Sequence, residues 1–234
     1  MKKRIWELDA LRGFCILGVI LVHFVYDVTE LYALADWHLP QAFLFVQQWG
    51  GVLFLLLSGI CVTLGSHSVK RGFIVFACGM LCSAVTWSMY RFGMAEKGII
   101  IYFGVLHCLG VCMLLWSAFR KLPWYALAIV GAVLAGVGVY LGAQPSSGHI
   151  ALMPFGFPPA GFVSSDYFPL LPHLGFFLLG AALGKTLYRN QQTLFPKVNS
   201  KQPILRFLQF CGKHSLWIYL LHQPILNGIL FLFM

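Results

Sequence analysis

An all-α fold is what this sequence predicts: a polytopic membrane helix bundle of about seven transmembrane helices, N-terminus cytoplasmic. Three observations carry that reading. Of the 234 residues, 59% are hydrophobic and only 10% are charged, whereas a soluble domain carries roughly 25% charged residues. Mean hydropathy is +0.81, and the apolar residues gather in runs long enough to cross a hydrocarbon layer of about 30 Å as helices. Lys and Arg are confined mostly to alternate loops, the asymmetry that orients helical membrane proteins. The length leaves room for one bundle, so residues 1–234 are read as a single transmembrane domain.

The first span, 12–30, follows a charged opening of Arg4, Glu7, Asp9 and Arg12. It runs apolar from Gly13 to Val22 and then carries His23 and Asp27. It lacks a small-residue cleavage site, so it is read as a retained helix and not a signal peptide. Further spans are expected at 42–64, 71–91, 99–119, 122–142, 168–188 and 213–233. Between the fifth and sixth lies GAQPSSGHIALMPFGFPPAGFVSSDYFPLLPHLG, apolar yet rich in the Pro and Gly that break helices. This segment is expected to fold back over the outer mouth, because irregular backbone at membrane depth must be buried or line a wet cavity. Residues 185–213 are read as a basic loop.

Fourteen of the 16 Lys and Arg fall on one side of this topology, including Lys2, Lys3, Arg4 and Arg12; Arg91 and Lys97 fall on the other. That imbalance predicts the N-terminus inside and the C-terminus outside. It also explains the net charge of +9 without a nucleic-acid partner: the expected partners of the cations are membrane lipids. The seven cysteines fall almost entirely in apolar runs, with no CxxC or zinc-type spacing, and read as small packing residues. No internal repeat is evident, which argues against a transporter built from inverted halves.

Ionisable groups inside apolar spans are costly and mark function by default. His23 lies eleven residues after Arg12, about 16 Å along a helix. Asp27 sits one turn further on the same face, placed to orient the imidazole as a base or nucleophile. The bland reading is a histidine bonded to a neighbouring helix for packing. Arg12 and Asp9 are spaced to pair at the inner mouth, where they shape a site for a phosphate-bearing donor or anchor the helix in headgroups. His107, His173 and His222 also lie in apolar spans. Asp166 with Tyr167 suits a polar acceptor at the outer side, or Asp166 caps a helix. Two other classes stay open: a small-solute or proton transporter with His and Asp as relay, and a haem protein in which His23 faces His107 or His173 at matched depth. No metal site is predicted.

Five blocks together resemble a known family: RIWELDALRGFCILGVILVHFVYD, FLLLSGICVTLG, IIIYFGVLHCLGV, DYFPLLPHLGFFLLG and LWIYLLHQPIL. They are similar to bacterial membrane proteins grouped with the catalytic domain of heparan-alpha-glucosaminide N-acetyltransferase, over roughly Arg4 to Leu226. The Arg12-to-His23 spacing also resembles an Arg-then-His signature of membrane acyltransferases that decorate cell-surface sugars. The resemblance implies that acetyl-CoA binds inside as co-substrate and that its acetyl group passes to an amine or hydroxyl of a glycan or amino sugar outside. On that reading His23 is base or acetyl carrier and Asp27 its orienter. Arg12 and Asp9 then shape the donor site, while Asp166, Tyr167, His107 and His222 line the acceptor side. A bacterial cytoplasmic membrane is the expected location, and a homo-oligomer an open expectation.

Overall fold

The computed structural model describes residues 4–146 and 148–232. Lys2, Lys3, Ser147 and Phe233, which figure in the topology above, lie outside the described residues. Among the described residues the chain is 71% helix and contains no strand. Five helices are long and apolar enough to cross a membrane: Trp6–Leu31, Gln41–Leu64, Ser68–Arg91, Trp124–Gly142 and Leu170–Leu187. They are α1 with its distal turn, α2, α3, α5 and α6. Two further apolar helices are shorter, α4 at Val105–Phe119 with 15 residues and α8 at Ser215–Phe231 with 17. The protein is integral to a membrane. By contact density it divides into two compact units, Met1–Leu57 with Asn190–Met234, and Ser58–Arg189.

In the first unit α1 (Trp6–Tyr26) begins earlier than the apolar run, because Glu7 and Asp9 occupy its first turn, where carboxylates favour the positive end of the helix dipole. Glu7 is buried and ties a distant loop to that turn, accepting from Thr193 Oγ1 and Leu194 N, each at 2.8 Å. The far end of α1 widens into a π turn at Asp27–Leu31, a local irregularity that recurs at functional sites.

The basic stretch read as a loop holds a helix, α7 at Pro203–Lys213. Its apolar residues never form a continuous run, so no membrane-span pattern betrays it. Leu208, Cys211 and Gly212 turn towards α1, where a side chain added at Gly13 or Gly212 would overlap the backbone carbonyl of Leu208 or Asp9. Such small-residue contacts let helix backbones touch where lipid offers no hydrophobic drive. From Gly13 beside Gly212 to Tyr32 beside Asn227, α1 and the α7–α8 pair ascend in the same direction.

The second unit packs α5 on α6 through Gly131 and Gly175, again backbone to backbone, and α3 on α4. Lys185 near the end of α6 donates to the carbonyls of Arg120 (2.7 Å) and Leu122, closing the α4–α5 turn. The Pro-rich segment forms one short 3₁₀ turn, Ile150–Phe155, ended by Gly156 in the left-handed region at φ 106°. Helix α4 starts at Val105 and not near 99, because residues 99–104 run alongside 164–168: Phe168 N donates to Phe103 O at 2.9 Å, and Ser164 and Ser165 reach the carbonyls of Ile100 and Ile99.

Gly13→Ala is expected to destabilise the protein by about 1–3 kcal/mol through overpacking, read as a lower melting temperature in detergent. Gly136→Ala, where nothing lies within 4 Å of the added carbon, is expected to be neutral or to raise it, since Ala favours helix over Gly by up to about 1 kcal/mol.

Candidate functional site

Polar groups buried among apolar helices must find partners inside the protein. At the distal ends of α1 and α8 they find one another. Asn227 Nδ2 lies 2.9 Å from the backbone oxygen of Gln223. A carbonyl oxygen only accepts, so this contact orients the Asn227 amide. Asn227 Nδ2 also donates to Gln223 Oε1 at 2.7 Å, and Tyr32 OH donates to Asn227 Oδ1 at 2.6 Å. With Oε1 assigned as acceptor, Gln223 Nε2 must be the donor. It gives one hydrogen to His23 Nδ1 at 2.9 Å and reaches Asp27 Oδ1 at 3.5 Å. Burial, and secondarily the Asp27 charge, raise the Tyr32 phenol above its ordinary value, so it holds the proton it donates.

This chain of bonds fixes two tautomers. His23 Nδ1 accepts, so a neutral His23 carries its hydrogen on Nε2. His222 Nδ1 meets the carbonyl of Tyr219 and must donate to it, which leaves the lone pair of His222 on Nε2. That Nε2 is buried with no hydrogen-bond partner among the described residues, as is Asp27 Oδ2. The His23 and His222 rings meet edge to face with centroids 4.8 Å apart. Two axial bonds of about 2.0 Å each would hold the ligating nitrogens about 4 Å apart and the ring centres further still, so no haem fits between these two imidazoles. No group of three or more His, Cys, Asp or Glu gathers as metal ligands among the described residues.

The structure therefore brings together His23, Asp27 and His222, and joins His23 to Asp27 through Gln223. Sequence reasoning missed Gln223, Asn227 and Tyr32. The available signal was Gln223 and Asn227 four apart on one face of the last apolar run. At the other end of α1, Arg12 pairs with Asp9 at 3.6 Å, and Arg4 approaches the same carboxylate at 3.8 Å.

His107, Asp166 and Tyr167 belong to the second unit, and each has structural work there. Asp166 Oδ2 accepts from Val105 N at 3.0 Å, capping the start of α4 from 61 residues away. His107 Nδ1 accepts from Gly104 N at 3.2 Å, and its Nε2 lies 3.3 Å from Ser83 Oγ. The ring is buried between Phe76 and Phe103. Tyr167 OH donates to Met153 O at 2.7 Å; burial pushes its phenol up to about 12, keeping that proton in place.

The family model described as heparan-alpha-glucosaminide N-acetyltransferase, catalytic, matches residues 4–224. The chain belongs to that family. Nothing among the curated proteins or the solved structures matches the chain. Membership in the heparan-alpha-glucosaminide N-acetyltransferase catalytic family points to a membrane transferase of acetyl-like groups. The matched stretch takes in Tyr32, His23, Asp27, His222 and Gln223.

Asp166→Ala is expected to lower the melting temperature by the loss of a helix cap, about 1 kcal/mol. Asp166→Asn, which keeps an acceptor, should restore most of it; unchanged melting in the Ala variant would contradict the capping role.

Proposed function

We propose that this protein transfers an acetyl group from cytoplasmic acetyl-CoA to an amine or hydroxyl of a glycan or amino sugar on the far side of the membrane. The His23–His222 pair is the reacting centre. One observation carries this reading: a buried imidazole with its lone pair free, beside a second imidazole whose N–H is free, both held by a single oriented chain of hydrogen bonds.

The roles follow from the tautomers. His222 Nε2 is the base or acetyl carrier, because it holds the unshared pair. His23 Nε2–H is a donor suited to the oxygen that gains charge as the thioester carbonyl is attacked. Asp27, sharing Gln223 with His23, favours positive charge on the imidazoles as the proton is taken up. In the direct route the acceptor O–H or N–H gives its proton to His222 and a new C–O or C–N bond forms. The C–S bond breaks, and the proton passes to the departing thiolate, so that CoA leaves as the thiol. In the carrier route His222 Nε2 attacks the thioester carbonyl and the C–S bond breaks, CoA leaving as thiolate; the acceptor then attacks the acetyl-imidazolium, the N–C bond breaks, and the proton the acceptor gives up balances the thiolate. The family and the position of Arg12 support a donor on the cation-rich side, where Asp9 balances the charge and leaves the remaining guanidinium N–H groups for a phosphate.

Loss of acetyl transfer to below about 1% is expected in His222→Gln, with the melting temperature held within a few degrees, since removing a general base typically removes a factor of about 100 or more. His23→Gln should fall less far if it only donates. Turnover from radiolabelled acetyl-CoA is the measurement. Full turnover in folded His222→Gln would overturn the assignment.

A further inference from the structure

Helix α7 plays no part in the site above, yet its surface is built in three strips. One strip, with Leu208, Cys211 and Gly212, packs on α1. A second carries Ile204, Phe207 and Phe210, exposed at 74%, 56% and 58%. The third carries Arg206 and Lys213, joined by Lys201 just before the helix. Beside these cations is an open concavity of about 330 Å³ lined by Ser200, Lys201, Arg206, Gln209, Phe210 and Lys213. Gln209 Nε2 donates to Ser200 O at 2.8 Å, holding the preceding loop against the helix as one wall. No acidic side chain lines the concavity, and among the described residues none of the three cations is in an ion pair. Trp217, 64% exposed, stands one turn into α8, a position suited to a membrane interface.

We propose that α7, which runs alongside the N-terminal turns of α1, stands at the membrane boundary. Its Lys201–Arg206–Lys213 concavity seats the phosphate of an anionic phospholipid whose acyl chains run along Phe207 and Phe210. A cationic flank beside an apolar flank suits the level of a bilayer where headgroups meet acyl chains. Charge complementarity selects an anion, since three uncompensated cations face one concavity. The adjoining apolar strip selects a lipid over a dissolved phosphate or a nucleotide, neither of which gains from exposed Phe and Ile. Phe210 borders both surfaces, as a residue at the junction of headgroup and chain must. The proposal is independent of the acetyl-transfer reading and stands or falls without it.

The test uses the full chain purified in a zwitterionic detergent, with melting temperature followed during titration with phosphatidylglycerol, phosphatidylcholine or CoA. Phosphatidylglycerol is expected to raise the melting temperature saturably, and phosphatidylcholine is not. The triple variant Lys201→Gln/Arg206→Gln/Lys213→Gln should bind on the order of 100-fold more weakly, at about fivefold for each cation removed near a charged surface. Should that variant fail to fold, Arg206→Gln alone is expected to show the fivefold loss. Equal responses to the two lipids, or an undiminished response in the folded variants, would overturn the proposal. So would displacement of phosphatidylglycerol by CoA, which would make the concavity a nucleotide site.

Discussion

A single backbone oxygen, that of Gln223, sets the order of donors and acceptors in the polar cluster between α1 and α8. Because it can only accept, Asn227 has one orientation, and every donor and acceptor out to His23 and Asp27 follows. In water such an order would be lost to solvent exchange. Surrounded by apolar helix faces, it persists because each group has no other partner to choose. The same bonds hold α1 against α8, two helices that share little other polar contact. Packing and proton placement thus have one cause here.

Helix α1 is the element on which the first unit depends. Its N-terminal end meets α7 backbone to backbone, with Glu7 gripping the loop at Thr193 and Leu194. Its C-terminal end, with the turn beyond it, supplies His23, Asp27 and Tyr32 to the chain that reaches α8. The parallel course of α1 and α8 follows from these two anchorages, since Gly13 pairs with Gly212 and Tyr32 with Asn227. It also brings residues far apart in sequence into one layer. A π turn at Asp27–Leu31 shifts the face that Tyr32 presents, which is how a residue beyond the helix proper still points at Asn227.

Much of the fold was legible because transmembrane helices announce themselves by continuous apolar length, and five of the seven expected spans have it. Helix α7 escaped because amphipathic residues were read as loop charge. Its apolar half is visible only when the run is laid out at 3.6 residues per turn. His23 and Asp27 were legible because charge in an apolar span stands out, and His222 for the same reason. Gln223 and Asn227 were not, since uncharged amides disturb hydropathy little. Asp166, His107 and Tyr167 looked like site residues for the opposite reason. Their polarity is conspicuous in sequence, while the backbone groups they satisfy become visible only when residues 61 and 14 positions apart are brought together.

The distinction between those two sets of residues is physical. A buried polar atom whose partners are complete has a structural account already: Asp166 caps α4, His107 closes its first turn, Tyr167 ties down the Met153 carbonyl. A buried polar atom without a partner costs about 1–3 kcal/mol, and such a cost persists where something outside the fold completes the bond. Among the described residues Asp27 Oδ2 and His222 Nε2 are the buried side-chain atoms with neither a hydrogen bond nor an ion pair. Both sit at the His23–His222 pair. Asp9 Oδ2 has no hydrogen bond but faces Arg4 at 3.8 Å, while Asp9 Oδ1 faces Arg12 at 3.6 Å, at the other end of α1. Helix α1 thus carries a paired carboxylate near its N-terminal end and one with an unpartnered oxygen near its C-terminal end, and it is the second, with His222 beside it, that is left open to a partner from outside the fold.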